Sequence, residues 1–237
     1  MITKPYLSVI IPAHNEEGRL DTCLYKLMPH VTRYHCEIIV VNNGSTDHTH
    51  DACDVLQGMY RPLRVIHLEQ RGKGLAVRTG MLAATGRYRY MCDVDLSTPA
   101  KEIHRFIEKA RVFDVVIGSR ELDRSTVQTS LKRRMIGRVF HSFVSGLLPD
   151  IQDTQCGFKI FRDDAAMRIF EECEIDSLAF DVEALYLARL HGYSVHEMPV
   201  TWAQDMDSRV RLVDDSLIML RDVIGLTLRS ASLPARV

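Results

Sequence analysis

The chain has 237 residues, of which 46% are hydrophobic and 26% charged, with a formal net charge of −1. That length suits one large α/β domain, and the composition excludes collagen, coiled coil and disorder. The near-zero charge gives the molecule as a whole no bias toward nucleic acid or an anionic bilayer.

The six cysteines are scattered, with no C-x-x-C pair, which points to reduced thiols and a cytoplasmic setting rather than a disulfide frame or zinc knuckle. The N-terminal apolar run is too short for a signal peptide, and no stretch reaches the ~18 apolar residues of a membrane span.

In chain order, "LSVIIP" (7–12), "CEIIVVN" (36–42), "LRVIHLE" (63–69), "YRYMCDVD" (88–95) and "DVVIGS" (114–119) read as strands. Segments 17–29, 46–57, 73–85 and 99–112 between them carry helical spacing, as in Ile103, Phe106, Ile107 and Ala110. This alternation predicts a doubly wound, mostly parallel sheet, whose ligand crevice lies at the carboxyl ends of the strands. The polar clusters "AHNEE", "NNGSTD", "DVDLST" and "GSRELD" all fall at such ends.

Beyond residue 120, 131–148 reads as a basic amphipathic helix, 157–161 and 195–201 as strands, and 163–173, 180–192 and 208–230 as helices. Periodicity alone favours a core stripe for 131–148, with a membrane-surface helix as the alternative. The expected division is one main domain over 1–205 and an amphipathic tail over 206–237.

Asp93 and Asp95 stand at i and i+2. In a strand they would share a side, and two ionised carboxylates that close require a proton or a bridging cation. The structural alternative is helix capping by Asp95 or Ser97 ahead of Pro99. Asn42 and Asn43 end a strand, where their amides could read a nucleoside. "RGKGLAVRTG" matches neither common phosphate-loop pattern, but Lys73 among glycines at a helix start is a candidate anion contact. His48, His50 and Cys53 lack zinc spacing and read as a solvent-facing first helical turn.

Taken together, "SVIIPAHNEE", "IIVVNNGSTD", "RGKGLAVRTGM", "DVDLSTP", "VIGSR", "DTQCGFKIF", "FDVEAL" and "PVTW…SRV" resemble glycosyltransferase family 2, of the GT-A fold. Within it they resemble the dolichyl- or polyprenyl-phosphate sugar synthases, and the later motifs look more like the glucosyl than the mannosyl branch.

The resemblance implies an inverting, metal-dependent transfer of a hexose, glucose from UDP-glucose first, onto a polyprenyl phosphate. The alternatives are a GDP-mannose donor or a soluble acceptor. A non-enzymatic nucleotide-sugar-binding subunit is disfavoured because the D-x-D and basic acceptor positions are kept.

By the same resemblance, Pro12, Ala13, Asn15 and Glu17 match the first nucleotide-binding loop, and Asn43 the second acidic position of "DDGS". Asp93 and Asp95 match the D-x-D that holds Mg²⁺ or Mn²⁺, and Ser97 stands where mannosyl relatives often carry a further ligand. Lys73 and Arg78 become nucleotide or sugar contacts, and Arg120 and Arg209 acceptor-phosphate contacts. Asp153 and Glu183 orient the loop, sugar or acceptor. A lipid monophosphate, with a second pKa of about 6, needs no strong base. The resemblance also turns 131–148 and the tail into peripheral membrane contacts on the cytoplasmic face, helped by an oligomer or a membrane-protein partner.

Overall fold

Strands β1 (Leu7–Ala13) and β2 (Cys36–Asn43) are almost unbroken runs of apolar residues, as a strand covered on both faces requires. The computed structural model, which describes residues 4–122, 144–203 and 214–232, places them inside such a sheet, each with a neighbouring strand on both sides. With β3 (Leu63–Leu68), β4 (Tyr88–Met91), β5 (Val115–Ser119), β6 (Lys159–Arg162) and β7 (Val195–Pro199), they form a seven-stranded sheet of order β3-β2-β1-β4-β6-β5-β7. Only β6 runs antiparallel to its neighbours.

Helices α1 (Leu20–Val31), α2 (Thr49–Met59) and α4 (Ile103–Ala110) cover one face. The other face is covered by α3 (Lys73–Ala83), α5 (Asp163–Glu172), α6 (Phe180–Leu190) and α7 (Asp214–Ser232). Successive strand residues serve opposite layers: Val9 and Ile11 join the first core, and Ile10 the second. On α4, Ile103, Phe106, Ile107 and Ala110 recur at i, i+3, i+4 and i+7 and are all buried.

The chain leaves β1 toward β2 and β3 on one side and returns as β4 on the other. The carboxyl ends of β1 and β4 therefore flank a topological switch point, where open α/β sheets bind ligands.

Most element ends differ from the sequence reading by a few residues, and three strands matter for the site. The fourth strand stops at Met91 rather than Asp95, because its antiparallel partner begins opposite it at Lys159. Cys92 still donates its N–H to Ile10 O at 2.9 Å, after which the chain turns, with Leu96 N donating to Asp93 O at 3.2 Å. Asp93 and Asp95 are thus brought together by a turn, not by a strand pleat. The sixth strand covers Lys159–Arg162, and the seventh ends at Pro199.

Most of 131–148 and the 205/206 division lie outside the described residues. Val144 and Leu148 are buried, as are Met219, Val223 and Leu226 of α7. No helix among the described residues is long and apolar enough to cross a membrane. All six cysteines are free thiols.

Candidate active site

An open, shallow pocket lies where β4 runs out, and its walls include Asp93, Asp95, Ser97, Gly157 and Trp202. Asp93 Oδ1 is 2.7 Å from Lys73 Nζ. Asp95 Oδ1 accepts the Ser97 backbone N–H at 2.9 Å, which closes the turn itself; neither Asp95 nor Ser97 caps the helical segment that follows, whose N-caps are Pro99 and Glu102 with no side-chain hydrogen bond. Burial pushes the Asp95 carboxyl above its ordinary range, and the Asp93 charge adds to this against the pull of the Ser97 hydrogen bonds and Lys73. Glycine at 157 leaves room for the Asp93 carboxylate, since a Cβ there would lie 1.8 Å from Asp93 Oδ2 and push it aside.

Lys73 opens α3. Burial opposes its charge, but Asp93, Asp181 and Asp95 more than compensate and hold its ammonium above the usual value. The flanking glycines serve packing: a Cβ on Gly74 would meet Ile175 O at 2.1 Å. Their N–H groups are already used, Gly72 donating to Asn43 Oδ1 at 2.7 Å and Gly74 to Asp176 O at 2.9 Å. What this loop offers an anion is the Lys73 ammonium.

Behind this pair lies a second, which sequence reading missed. Lys159 Nζ sits 2.6 Å from Asp181 Oδ1 and donates to Cys156 O at 2.6 Å; the two residues are 1% and 4% exposed. Burial raises the Asp181 carboxyl, while Lys159 and Lys73 pull it down. The available signal was a lysine inside the apolar strand of "GFKIF", which can be buried only with a partner. Three carboxylates (Asp93, Asp95, Asp181) against two ammoniums (Lys73, Lys159) leave this cluster one negative charge in excess.

Next to the lining residue Trp202, Arg120 makes a fork to Asp153, Nε to Oδ2 at 2.6 Å and Nη2 to Oδ1 at 2.8 Å, and lies 5.6 Å from the centre of the Trp202 ring. Burial works against the Asp153 charge, but Arg120 and the hydrogen bonds it donates bring the carboxyl below its usual range. Nε and one Nη2 proton are committed to Asp153, which leaves three guanidinium N–H groups for an incoming oxyanion.

The first two loops are tied to each other. Asn15 is in the left-handed region (φ 57°), with Oδ1 accepting the Thr46 N–H at 2.8 Å. Glu17 Oε2 accepts the His48 N–H at 2.8 Å. Pro12 is half-buried and Ala13 fully buried at the end of β1, beside Val41 and Asn42 of β2. Asn43 spends its carbonyl on Gly72, so it joins two loops at the switch point.

Two expected site residues go elsewhere. Arg78 donates to Cys173 O at 2.7 Å and pairs with Asp176 at 2.9 Å, tying α3 to the segment before α6 rather than lining the cavity. Glu183 accepts the Glu174 and Ile175 N–H groups at 2.9 and 2.7 Å and meets Arg229 of α7 at 3.2 Å. The cause is helix geometry: two residues turn the α6 surface by about 200°, so Asp181 and Glu183 face opposite ways. Arg209 lies outside the described residues.

A parallel-rich sheet with paired aspartates, a lysine and an arginine–carboxylate fork around the switch-point cavity defines a GT-A-type nucleotide-sugar transferase scaffold. The profile described as "Glycosyl transferase family 2" matches residues 8–170, and the chain belongs to that family.

The dolichyl-phosphate beta-glucosyltransferase of Dictyostelium discoideum is 35% identical over 94% of this chain and 74% of its own. Those of Saccharomyces cerevisiae and Homo sapiens are each 32% identical, over 92% and 94% of this chain and 73% and 75% of their own. Among solved structures, glucosyl-3-phosphoglycerate synthase from Mycobacterium tuberculosis in complex with UDP superposes with a TM-score of 0.73 at 17% identity, covering 98% of this chain and 82% of its own. The same enzyme with Mn²⁺ and UDP-glucose gives 0.70 at 18% identity, covering 98% and 81%.

Proposed function

We propose that the chain transfers glucose from UDP-glucose to dolichyl or another polyprenyl phosphate, giving a β-linked lipid-phosphate sugar. The observation that carries this reading is the charge excess of the aspartate cluster at the cavity, on a chain about a third identical to dolichyl-phosphate beta-glucosyltransferases. A diphosphate would meet net negative charge there unless a cation balanced it.

The donor set fits a hard divalent cation: two adjacent carboxylates, one whose charge is opposed first by burial and then by its neighbour, and a nearby Ser97 hydroxyl. Asp95 and Asp93, with Ser97, would hold Mg²⁺ or Mn²⁺, which supplies charge neutralisation for the departing diphosphate.

Lys73 holds Asp93 in place and adds a positive charge beside the diphosphate. Lys159 and Asp181 fix that group from behind. Pro12, Ala13, Asn15, Glu17 and Asn43 shape the nucleoside end, mainly through the contacts that lock their loops. Arg120 presents its remaining N–H groups to the acceptor phosphate, aimed by Asp153 and Trp202, and Arg209 is proposed as a second contact. Asp153, held ionised, is a weak base, which suits an acceptor already largely deprotonated at neutral pH. Its phosphate oxygen displaces UDP at the anomeric carbon and inverts it.

Contact with a membrane surface is proposed for α7 and 131–148. Leu217, Ile218, Ile224 and Leu228 of α7 are exposed, while Met219, Val223 and Leu226 face the core. An exposed apolar stripe of this kind suits the interfacial layer of a bilayer on the cytoplasmic side.

The test is incubation with Mg²⁺ or Mn²⁺, dolichyl phosphate in vesicles, and each common nucleotide sugar in turn. Lipid-linked glucose from UDP-glucose is the expected product. Lipid-linked mannose from GDP-mannose alone would move the donor assignment, and no lipid-linked sugar from any donor would overturn the reading. A parallel arm with water-soluble phosphates should give little product.

A further inference from the structure

We infer a second divalent-metal site, separate from the aspartate pair, formed by His50 and Asp54 of α2 and His67 of β3. Sequence spacing hides it, because only two of its members share an element. His50 and Asp54 are four residues apart and so share a helix face. The pairing of β3 beside β2 then sets His67 opposite Asn42 and under that face.

One ligand atom from each of the three residues lies within 4.8 Å of the others. His67 Nε2 is 3.1 Å from Asp54 Oδ1, and His50 Nε2 is 3.6 Å from Asp54 Oδ2. Ligands ~2.0–2.1 Å from a tetrahedral Zn²⁺ stand about 3.3 Å apart, so these spacings already approximate a coordination edge. Both Nε2 atoms face the Asp54 carboxylate, but the rings stack with centroids 3.8 Å apart and an interplanar angle of 24°, so the exposed His50 ring must rotate for both in-plane lone pairs to meet one ion.

A second observation supports the site from the inner side of His67. Asn42 is 3% exposed and its Oδ1 is buried without a hydrogen-bond partner, while its Nδ2 lies 3.1 Å from His67 Nδ1. Turning that amide over lets Oδ1 accept an Nδ1–H from His67. Nδ2 then takes the oxygen's place among the buried groups, the imidazole is held as the Nδ1–H tautomer, and Nε2 gives up its hydrogen bond to Asp54 Oδ1, which frees its lone pair for a metal. A histidine ligand whose other ring nitrogen donates to an oxygen is the usual support of a metal site.

Two imidazoles and one carboxylate suit Zn²⁺ or another borderline cation better than Mg²⁺. Half-exposed side chains leave room for water to complete the shell. Cys53, one turn along α2, is buried toward the core and takes no part.

Calorimetric titration of Zn²⁺ alone into the metal-stripped full chain tests this, with His50→Gln and Asp54→Asn compared after circular dichroism has shown both to be folded. Wild-type protein should bind one more Zn²⁺ than either variant, or bind it at least tenfold more tightly, and Co²⁺ should give a visible absorption band that His50→Gln lacks. Divalent-metal-dependent sugar transfer should be the same in all three. Identical Zn²⁺ stoichiometry and affinity in wild type and both variants would overturn the inference. Because the readout is binding, it stands apart from whether the transfer reaction is correctly assigned.

Discussion

Asp181 and Glu183 stand two positions apart on α6, are 4% and 2% exposed, and have carboxyls that burial holds above the ordinary range, yet they serve different regions. Asp181 faces Lys159 and, through Lys73, the pocket at the end of β4. Glu183 faces away, closing two backbone N–H groups and the Arg229 guanidinium into the scaffold. Membership of one motif, and even equal burial, does not assign a role. The direction of the side chain around the helix does.

The largest effect on this contrast is expected from Asp181→Asn. It leaves Lys159 buried without a counter-charge, at a cost of about 3–5 kcal/mol. Because Lys73 and Asp93 lose their backing, kcat should also fall by about a hundredfold per folded molecule, in the range of a lost electrostatic stabiliser. Wild-type kcat in the folded fraction would place Asp181 in the scaffold alongside Glu183.

Gly157→Ala comes next. Its Cβ would overlap Asp93 Oδ2, so the carboxylate must move, and kcat should drop by about tenfold or more, since misplacement of ~1 Å can cost up to a hundredfold. Thermal melting should change little, and unaltered steady-state kinetics would count against the position assigned to Asp93.

Glu183→Gln should instead be a stability variant, losing about 1–3 kcal/mol in denaturant melts with kcat unchanged. Its pH dependence sharpens the contrast. A carboxyl whose folded pKa is raised contributes stability that is fully present below its unfolded value of about 4.3 and is lost as pH rises through the folded value. The wild type should therefore carry a loss of stability above that range which the Gln variant lacks, seen as the difference between their melting-temperature profiles against pH.

The smallest effect is expected from Arg78→Ala. Losing its bonds to the Cys173 carbonyl and Asp176 should cost about 1 kcal/mol, with KM for the nucleotide sugar unmoved. A raised KM would return Arg78 to the binding site.

Much of this was legible in the sequence for a physical reason: strands buried on both faces must be unbroken apolar runs, as β1 and β2 are. The polar residues ending those runs had to crowd one edge of a parallel sheet. The D-x-D turn was less legible, because the apolar pattern continues through Val94 after the antiparallel partner has ended. The roles of Arg78 and Glu183 were hidden for another reason, since helix phase against neighbours is set by tertiary packing. Asp181 and His67 became visible only when α6 and β3 brought distant segments together.

The central claim is that the aspartates at the end of β4 make the chemistry run. Its most direct test is the rate of glucose transfer from UDP-glucose to dolichyl phosphate by wild type and Asp95→Asn, compared at equal folded protein and saturating divalent metal. The expected result is lipid-linked glucose from the wild type and a loss of about a thousandfold or more in the variant, with unchanged thermal melting. Transfer by Asp95→Asn at near the wild-type rate would contradict it.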